Sequence, residues 1–250
     1  RLLSPQDTPS ELAGYRRMVA GRRVDGLLLL RTRINDPRIA YLAEAGLPFV
    51  VFGRTEGVDH YAYTDVDGVA GQAALTEHLL ALGHRRIAYV TPPHDLMFTR
   101  YRLQGYQQAL EKAGLMPDPA LIVEAELNEQ AGKQAAAALL ALPDPPTAIM
   151  AGNDQMAIGV MHAVRARGLR VGDDVAVGGY DDIPAAEHLN PPLTTIHQPI
   201  FEIGLELVRR LVSLIHGVPP AELQSLISPE LRVRTSTPGG SSQKGGDAAN

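Results

Sequence analysis

Thr147-Ala148-Ile149-Met150-Ala151 runs straight into Gly152-Asn153-Asp154-Gln155-Met156-Ala157-Ile158-Gly159, and after Gly168 comes Val175-Ala176-Val177-Gly178-Gly179-Tyr180-Asp181-Asp182. The first and last pieces are short apolar runs bounded by turn residues, the pattern of strands buried on both faces. Between them Met156, Val160 and Val164 recur every fourth residue, which is one face of a helix. Asn153 or Asp154 serves as its cap and Gly168 lies beyond its end. Strand, helix and strand in such close succession make a βαβ unit, the usual way two parallel strands are joined.

The same alternation extends outward in both directions. Thr8-Pro9-Ser10-Glu11 reads as a capping box with proline at the first helical position; Leu12, Tyr15 and Val19 form its apolar face, and Gly21 stops it. The run Val24 to Leu30 reads as a buried strand, Asp36-Pro37 opens a helix closed by Gly46, and Pro48 to Phe52 and His60 to Asp65 are further strands. Asp67 caps a helix ending near Gly83, and Arg86 to Thr91 is a strand. A helix from about Thr99 carries Leu103, Tyr106 and Leu110, and Gly105 inside it signals close packing, since glycine there costs ~1 kcal/mol against alanine. A strand from Leu121 to Ala125, an alanine-rich helix stopped by Pro143, and a helix opened by Pro199 with Ile200, Leu207, Leu211 and Leu214 inward complete the pattern. Such alternation predicts an α/β fold with parallel sheets. The chain opens on Arg1-Leu2-Leu3-Ser4, which reads as the end of a strand, so the first lobe is expected to be truncated at its N-terminus. The Gly- and Ser-rich residues 235–250 are expected to be a disordered tail.

At 250 residues, 45% hydrophobic and 20% charged, the chain can bury a large core. No apolar run reaches the ~18–20 residues of a membrane span, and no signal-type segment opens the given residues, so a soluble protein without a membrane partner is expected, an upstream signal being left open. With no cysteine there are no disulfides, thiolate metal sites or cysteine nucleophile, and no metal or cofactor is expected. A formal charge of −5 and scattered arginine pairs do not make a phosphate-neutralising surface.

In open parallel sheets ligands bind beyond the carboxyl ends of the strands, and this rule selects the candidates. Asn153 follows the strand ending at Ala151; its amide both donates and accepts, as a vicinal diol requires, or it simply caps the next helix. Asp181 and Asp182 follow the strand ending at Tyr180. One carboxylate can accept two hydroxyl hydrogen bonds, while a turn-forming role suits at least one of the pair. Arg102, on the first turns of a helix after a strand, can bridge two sugar oxygens or lie on the surface. Phe98 is either an apolar plate for a sugar face or a core anchor. No nucleophile elbow, dinucleotide fingerprint, phosphate loop or His-Glu-x-x-His motif occurs, and no enzyme is expected.

Several segments, in order, resemble the effector-binding core of the LacI/GalR family of sugar-responsive repressors. They are Arg23-Val24-Asp25-Gly26-Leu27, Leu47-Pro48-Phe49-Val50, Leu82-Gly83-His84-Arg85-Arg86-Ile87-Ala88, Arg102-x-x-Gly105, Asn153-Asp154-x-Met156-Ala157-x-Gly159, Gly179-Tyr180-Asp181-Asp182 and Pro191-Pro192-Leu193-Thr194-Thr195-Ile196. The resemblance implies two Rossmann-like lobes of periplasmic-binding-protein type. One lobe takes in 1–65 plus 198–226, the other 66–197 plus 227–234, with the sugar in the cleft. It also implies a homodimer in the cytoplasm, and operator DNA bound only through an N-terminal headpiece that is absent from these residues. The family's sugar contacts fall on Arg102, Asn153 and Asp181, with Arg31 and Arg54 as looser candidates from the facing lobe. Asp95-Leu96-Met97-Phe98 resembles members that sense α-glucosides. A periplasmic sugar-binding protein shares the fold and is the alternative; the Pro-Leu-Thr-Thr-Ile segment favours the repressors.

Overall fold

The structure is a computed structural model, and it describes residues 8–237. The strand end expected at residues 1–4 lies outside the described residues. Two compact units emerge, each built from separated stretches of chain. Unit 1 holds 8–66, Asp95–Phe98 and Pro199–Ile227; unit 2 holds Asp67–His94, Thr99–Gln198 and 228–237.

Among the described residues unit 1 has a parallel four-stranded sheet in the order β1-β2-β3-β9, with β1 at Leu27–Leu29, β2 at Phe49–Phe52, β3 at Ala62–Val66 and β9 at Gln224–Ile227. On one face α1 (Thr8–Ala20) and α2 (Pro37–Ala45) bury Tyr15, Met18, Ile39 and Leu42 against Leu29, Phe49 and Val51. On the other, α7 (Ile200–Ile215) sets Ile203 and Leu207 against Val50, Ala62 and Val66. Asp36 caps α2 by accepting from the Arg38 amide, and Gly46 ends it in the left-handed region.

Glu11, expected to close a capping box with residues whose side chains lie outside the description, is buried, and its two oxygens accept from Arg38 Nη1 at 2.9 Å and Arg33 Nη1 at 3.1 Å. Three local expectations are not met. The run at 24–30 is not buried throughout. Among the described residues β2 is the one strand paired to it, and Leu28 and Leu30 are 39% and 52% exposed. Ile200, on the first turn of α7, is half exposed, and Ile203 takes the inward place expected of it. Asp95–Phe98 groups with unit 1, because Met97 N–H donates to Thr32 O and Ile34 N–H to Asp95 O.

Unit 2 is a six-stranded sheet ordered β10-β8-β7-β6-β4-β5. Its strands β4 (Ile87–Thr91), β5 (Ile122–Glu124), β6 (Ala148–Ala151), β7 (Ala176–Asp181) and β8 (Thr194–His197) are parallel, and β10 (Glu230–Arg232) runs antiparallel to β8. One face carries α5 (Glu129–Leu139) and α6 (Asp154–Ala166) over Val90, Ile149 and Val177. The other carries α3 (Gly68–Ala81) and α4 (Met97–Lys112) over Tyr89, Met150 and Tyr180. At Gly105 a Cβ would stand 2.2 Å from the Val69 carbonyl oxygen, which is the close packing expected there.

Residues 236 and 237 do not belong to the expected tail. Ser236 and Thr237 are buried: Ser236 Oγ donates to Val177 O and accepts from Thr194 N–H, and Thr237 Oγ1 lies 2.8 Å from His78 Nε2. Residues 238–250 of the expected disordered tail lie outside the described residues.

Candidate ligand-binding site

Strands β4 to β8 are parallel, so their carboxyl ends share one edge of unit 2. From β6 the chain leaves through Gly152 into Asn153, whose Oδ1 caps α6 by accepting from the Met156 amide at 2.9 Å. Capping uses only the oxygen, and the Nδ2 donors remain for another partner. From β7 it leaves through Asp181 and Asp182, both at positive φ, 114° and 58°. Side chains with a Cβ avoid this region at a cost of ~1–3 kcal/mol each. Contacts on every side hold the turn. Gln198 Nε2 donates to Asp181 Oδ1, while Asp182 accepts from Arg234 Nη2 at 2.8 Å and pairs with His197 Nδ1 at 2.9 Å.

Arg102 comes from α4. It is 7% exposed, and its guanidinium carbon sits 3.4 Å from the centroid of the Tyr180 ring. Nη1 donates to Gly152 O at 2.6 Å and Nη2 lies 4.0 Å from Asp181 Oδ1. Burial pushes the Asp181 carboxyl above its ordinary value, against the pull of Arg102 and Gln198. The edge therefore presents guanidinium and amide donors beside a carboxylate acceptor, a set matched to neighbouring hydroxyl groups.

Arg102, Asn153 and Asp181 are thus brought together in unit 2. Arg31 and Arg54 belong to unit 1, where Arg31 is exposed at φ 54° and Arg54 Nε donates to Asp65 Oδ2 at 2.8 Å. Phe98 groups with unit 1 and is half-buried. Two residues at the edge were not among the sequence candidates. Gln198 directly follows β8, so the strand-end rule applied to that strand selects it. Asp154 is fully buried behind Asn153, accepting from Thr195 Oγ1 at 2.6 Å and Ile183 N–H at 2.8 Å. Burial raises its pKa to about 7, helped by the charges of Asp181 and Asp182. Among the described residues no group of three or more His, Asp or Glu side chains is placed to hold a metal.

A family model described as a periplasmic binding protein-like domain matches residues 76–237. A solved regulatory protein of the LacI family from Chloroflexus aggregans is 38% identical, with a TM-score of 0.84 over 94% of this chain and 85% of that one. This chain belongs to the LacI family. The transcriptional regulator CelR of Thermobifida fusca is 39% identical over 227 residues, 90% of this chain. The LacI-family chain described here spans 66% of that regulator's length. A solved CelR–cellobiose complex is also 38% identical, with a TM-score of 0.84, covering 91% of this chain and 70% of that one. Among the described residues no helix is long and apolar enough to cross a membrane.

Proposed function

We propose that this chain is the sugar-sensing and dimerisation part of a bacterial transcriptional repressor, working in the cytoplasm without catalysing a reaction. The observation that carries the reading is the meeting of Arg102, Asn153 and Asp181 at the carboxyl edge of the unit 2 sheet, donors beside an acceptor. In this reading Phe98, Arg31 and Arg54 contribute from unit 1. A bound sugar shifts the balance between two states of a homodimer by its differential affinity for them. Any contact with operator DNA would run through a headpiece that these 250 residues lack. The cellobiose held by CelR supports a disaccharide effector, and Asp95-Leu96-Met97-Phe98 supports an α-glucoside among disaccharides.

Titration calorimetry against glucose, maltose and cellobiose tests the reading. One of them is expected to bind, and Arg102→Ala, Asn153→Ala and Asp181→Ala are each expected to weaken it by ~1–3 kcal/mol, the worth of hydrogen bonds to a desolvated polar ligand. No heat with any sugar, or unchanged affinity in all three variants, would remove these residues from a sugar site.

A further inference from the structure

Asp154 stands behind the candidate site as a buried carboxyl. It is 0% exposed at the first position of α6, directly after Asn153. Its two oxygens hold different parts of the chain: Oδ1 accepts from Thr195 Oγ1 at 2.6 Å, and Oδ2 accepts from the Ile183 amide at 2.8 Å. Withdrawing a carboxyl from water is costly, and an apolar side chain would fill the same space at less cost. What the two oxygens hold is therefore informative. Both contacts end at the carboxyl edge of the sheet.

Ile183 directly follows Asp181 and Asp182, the two residues at positive φ. Gln198, Arg234 and His197 hold the side chains of that turn, while Asp154 takes the backbone amide with which the chain leaves it. Thr195 lies opposite Gly179, with β8 and β7 in parallel register. Strand β7 makes room for the carboxyl at this point, since a Cβ at Gly179 would stand 2.2 Å from Asp154 Oδ1. One side chain thus fastens the start of α6 to β8 and to the exit of the turn. Asn153 on one side and Asp181 on the other are tied through it. With no exposed surface, Asp154 cannot touch a ligand itself.

We propose that Asp154 is a positioning residue for ligand binding: held by Thr195, it fixes the Ile183 amide and so sets where the Asp181 carboxylate stands beside Asn153. This rests on the sugar-site reading above and adds a residue that acts through Asp181.

The test has two arms. In the first, amide NMR of the unliganded protein follows Ile183 in the parent, in Asp154→Asn and in Asp154→Ala. An amide bonded to a buried oxygen should lie downfield and exchange slowly in the parent and in Asp154→Asn, whose Oδ1 still accepts. In Asp154→Ala it should move upfield and exchange faster, while amides of β4 and β6 keep their protection. In the second arm, cellobiose and maltose affinities are measured across the cycle of Asp154→Ala and Asp181→Ala. Asp154→Ala is expected to weaken binding about tenfold in the parent and less than about twofold when Asp181 is already Ala, while Asp154→Asn restores most of the affinity. Asp154→Ala also strips two buried groups of a partner, so the urea midpoint is recorded for each variant. Should it not fold, Thr195→Val takes its place, removing only the hydroxyl that holds Oδ1; a severalfold loss of affinity is expected, again absent when Asp181 is Ala. An Ile183 amide indifferent to Asp154→Ala, or additive effects on affinity, would overturn the proposal. If the parent binds neither sugar, the sugar reading fails by itself, and the Ile183 amide still decides whether Asp154 holds the turn.

Discussion

At the scale of single residues, Asp154 is the group whose chemistry is most sharply set by its surroundings. It is fully buried at the first position of α6, it accepts two hydrogen bonds, and burial raises its pKa to about 7. In the unfolded chain the same carboxyl titrates near the ordinary aspartate value of 3.8. Between those values the folded state holds a proton that the unfolded state has lost. The contribution of Asp154 to stability is therefore fully present below about pH 4, falls as pH rises toward 7, and levels off above it. The slope is at most ~1.4 kcal/mol per pH unit. Asn at this position mimics the protonated acid: its Oδ1 accepts from the Ile183 amide and its Nδ2 donates to Thr195 Oγ1. Urea unfolding of the parent and of Asp154→Asn at pH 5, 6, 7 and 8 is expected to show the variant gaining on the parent as pH rises. Parallel curves would mean that Asp154 is ionised throughout.

At the scale of elements, the helices show how one substitution takes opposite signs in two places. On α6, a Cβ at Gly159 would stand 1.9 Å from the Glu129 carbonyl oxygen of α5, backbone that cannot turn aside. On α7, Gly204 is exposed and has nothing within 4 Å of its would-be Cβ. Replacing a helical glycine by alanine gains ~1 kcal/mol of backbone entropy wherever there is room. Gly204→Ala is thus expected to stabilise by ~0.5–1 kcal/mol. Gly159→Ala, where forced separation of α5 and α6 exceeds that gain, is expected to destabilise by ~1–3 kcal/mol. Thermal midpoints moving in the same direction for both would refute the packing argument. Helix starts of this kind were legible in sequence, because Asp36, Asp67 and Asn153 cap through neighbours two or three residues away. The strand-end rule likewise reached Asn153 and Asp181, since a parallel sheet dictates where its edge lies. Ser236 was misread and the ion pair of Glu11 was missed because the partners are distant: Val177 is 59 residues from Ser236, and Arg38 is 27 from Glu11.

At the scale of the whole molecule, neither unit is a single stretch of chain, and the closing stretch of unit 2 reaches the edge of the candidate site. After β9 in unit 1 the chain returns as β10 beside β8. It then threads Arg234 and Ser236 between the ends of β7 and β8. Arg234 donates to Asp182 Oδ1 and to Leu193 O, both at 2.8 Å; Ser236 O accepts from Val177 N–H, and Ser236 Oγ bonds to Val177 and Thr194. Arg234 shares the work of holding the positive-φ turn with Gln198 on Asp181 and His197 on Asp182, so its contact offsets part of the ~1–3 kcal/mol per residue that the turn costs. Arg234→Gln is therefore expected to weaken sugar binding severalfold although residue 234 touches no ligand, because the turn carrying Asp181 relaxes. Ending the chain after Arg232 is expected to go further, stripping partners from several buried groups at ~1–3 kcal/mol each. Hydrogen exchange separates this loss from general unfolding. Amides of β7 and β8 should lose protection while those of β2 and β3, in the other unit, keep theirs. Equal loss in both sheets would mean that the two units unfold as one and that the clasp is not local. Unchanged exchange in β7 would mean that the turn at Asp181 holds itself.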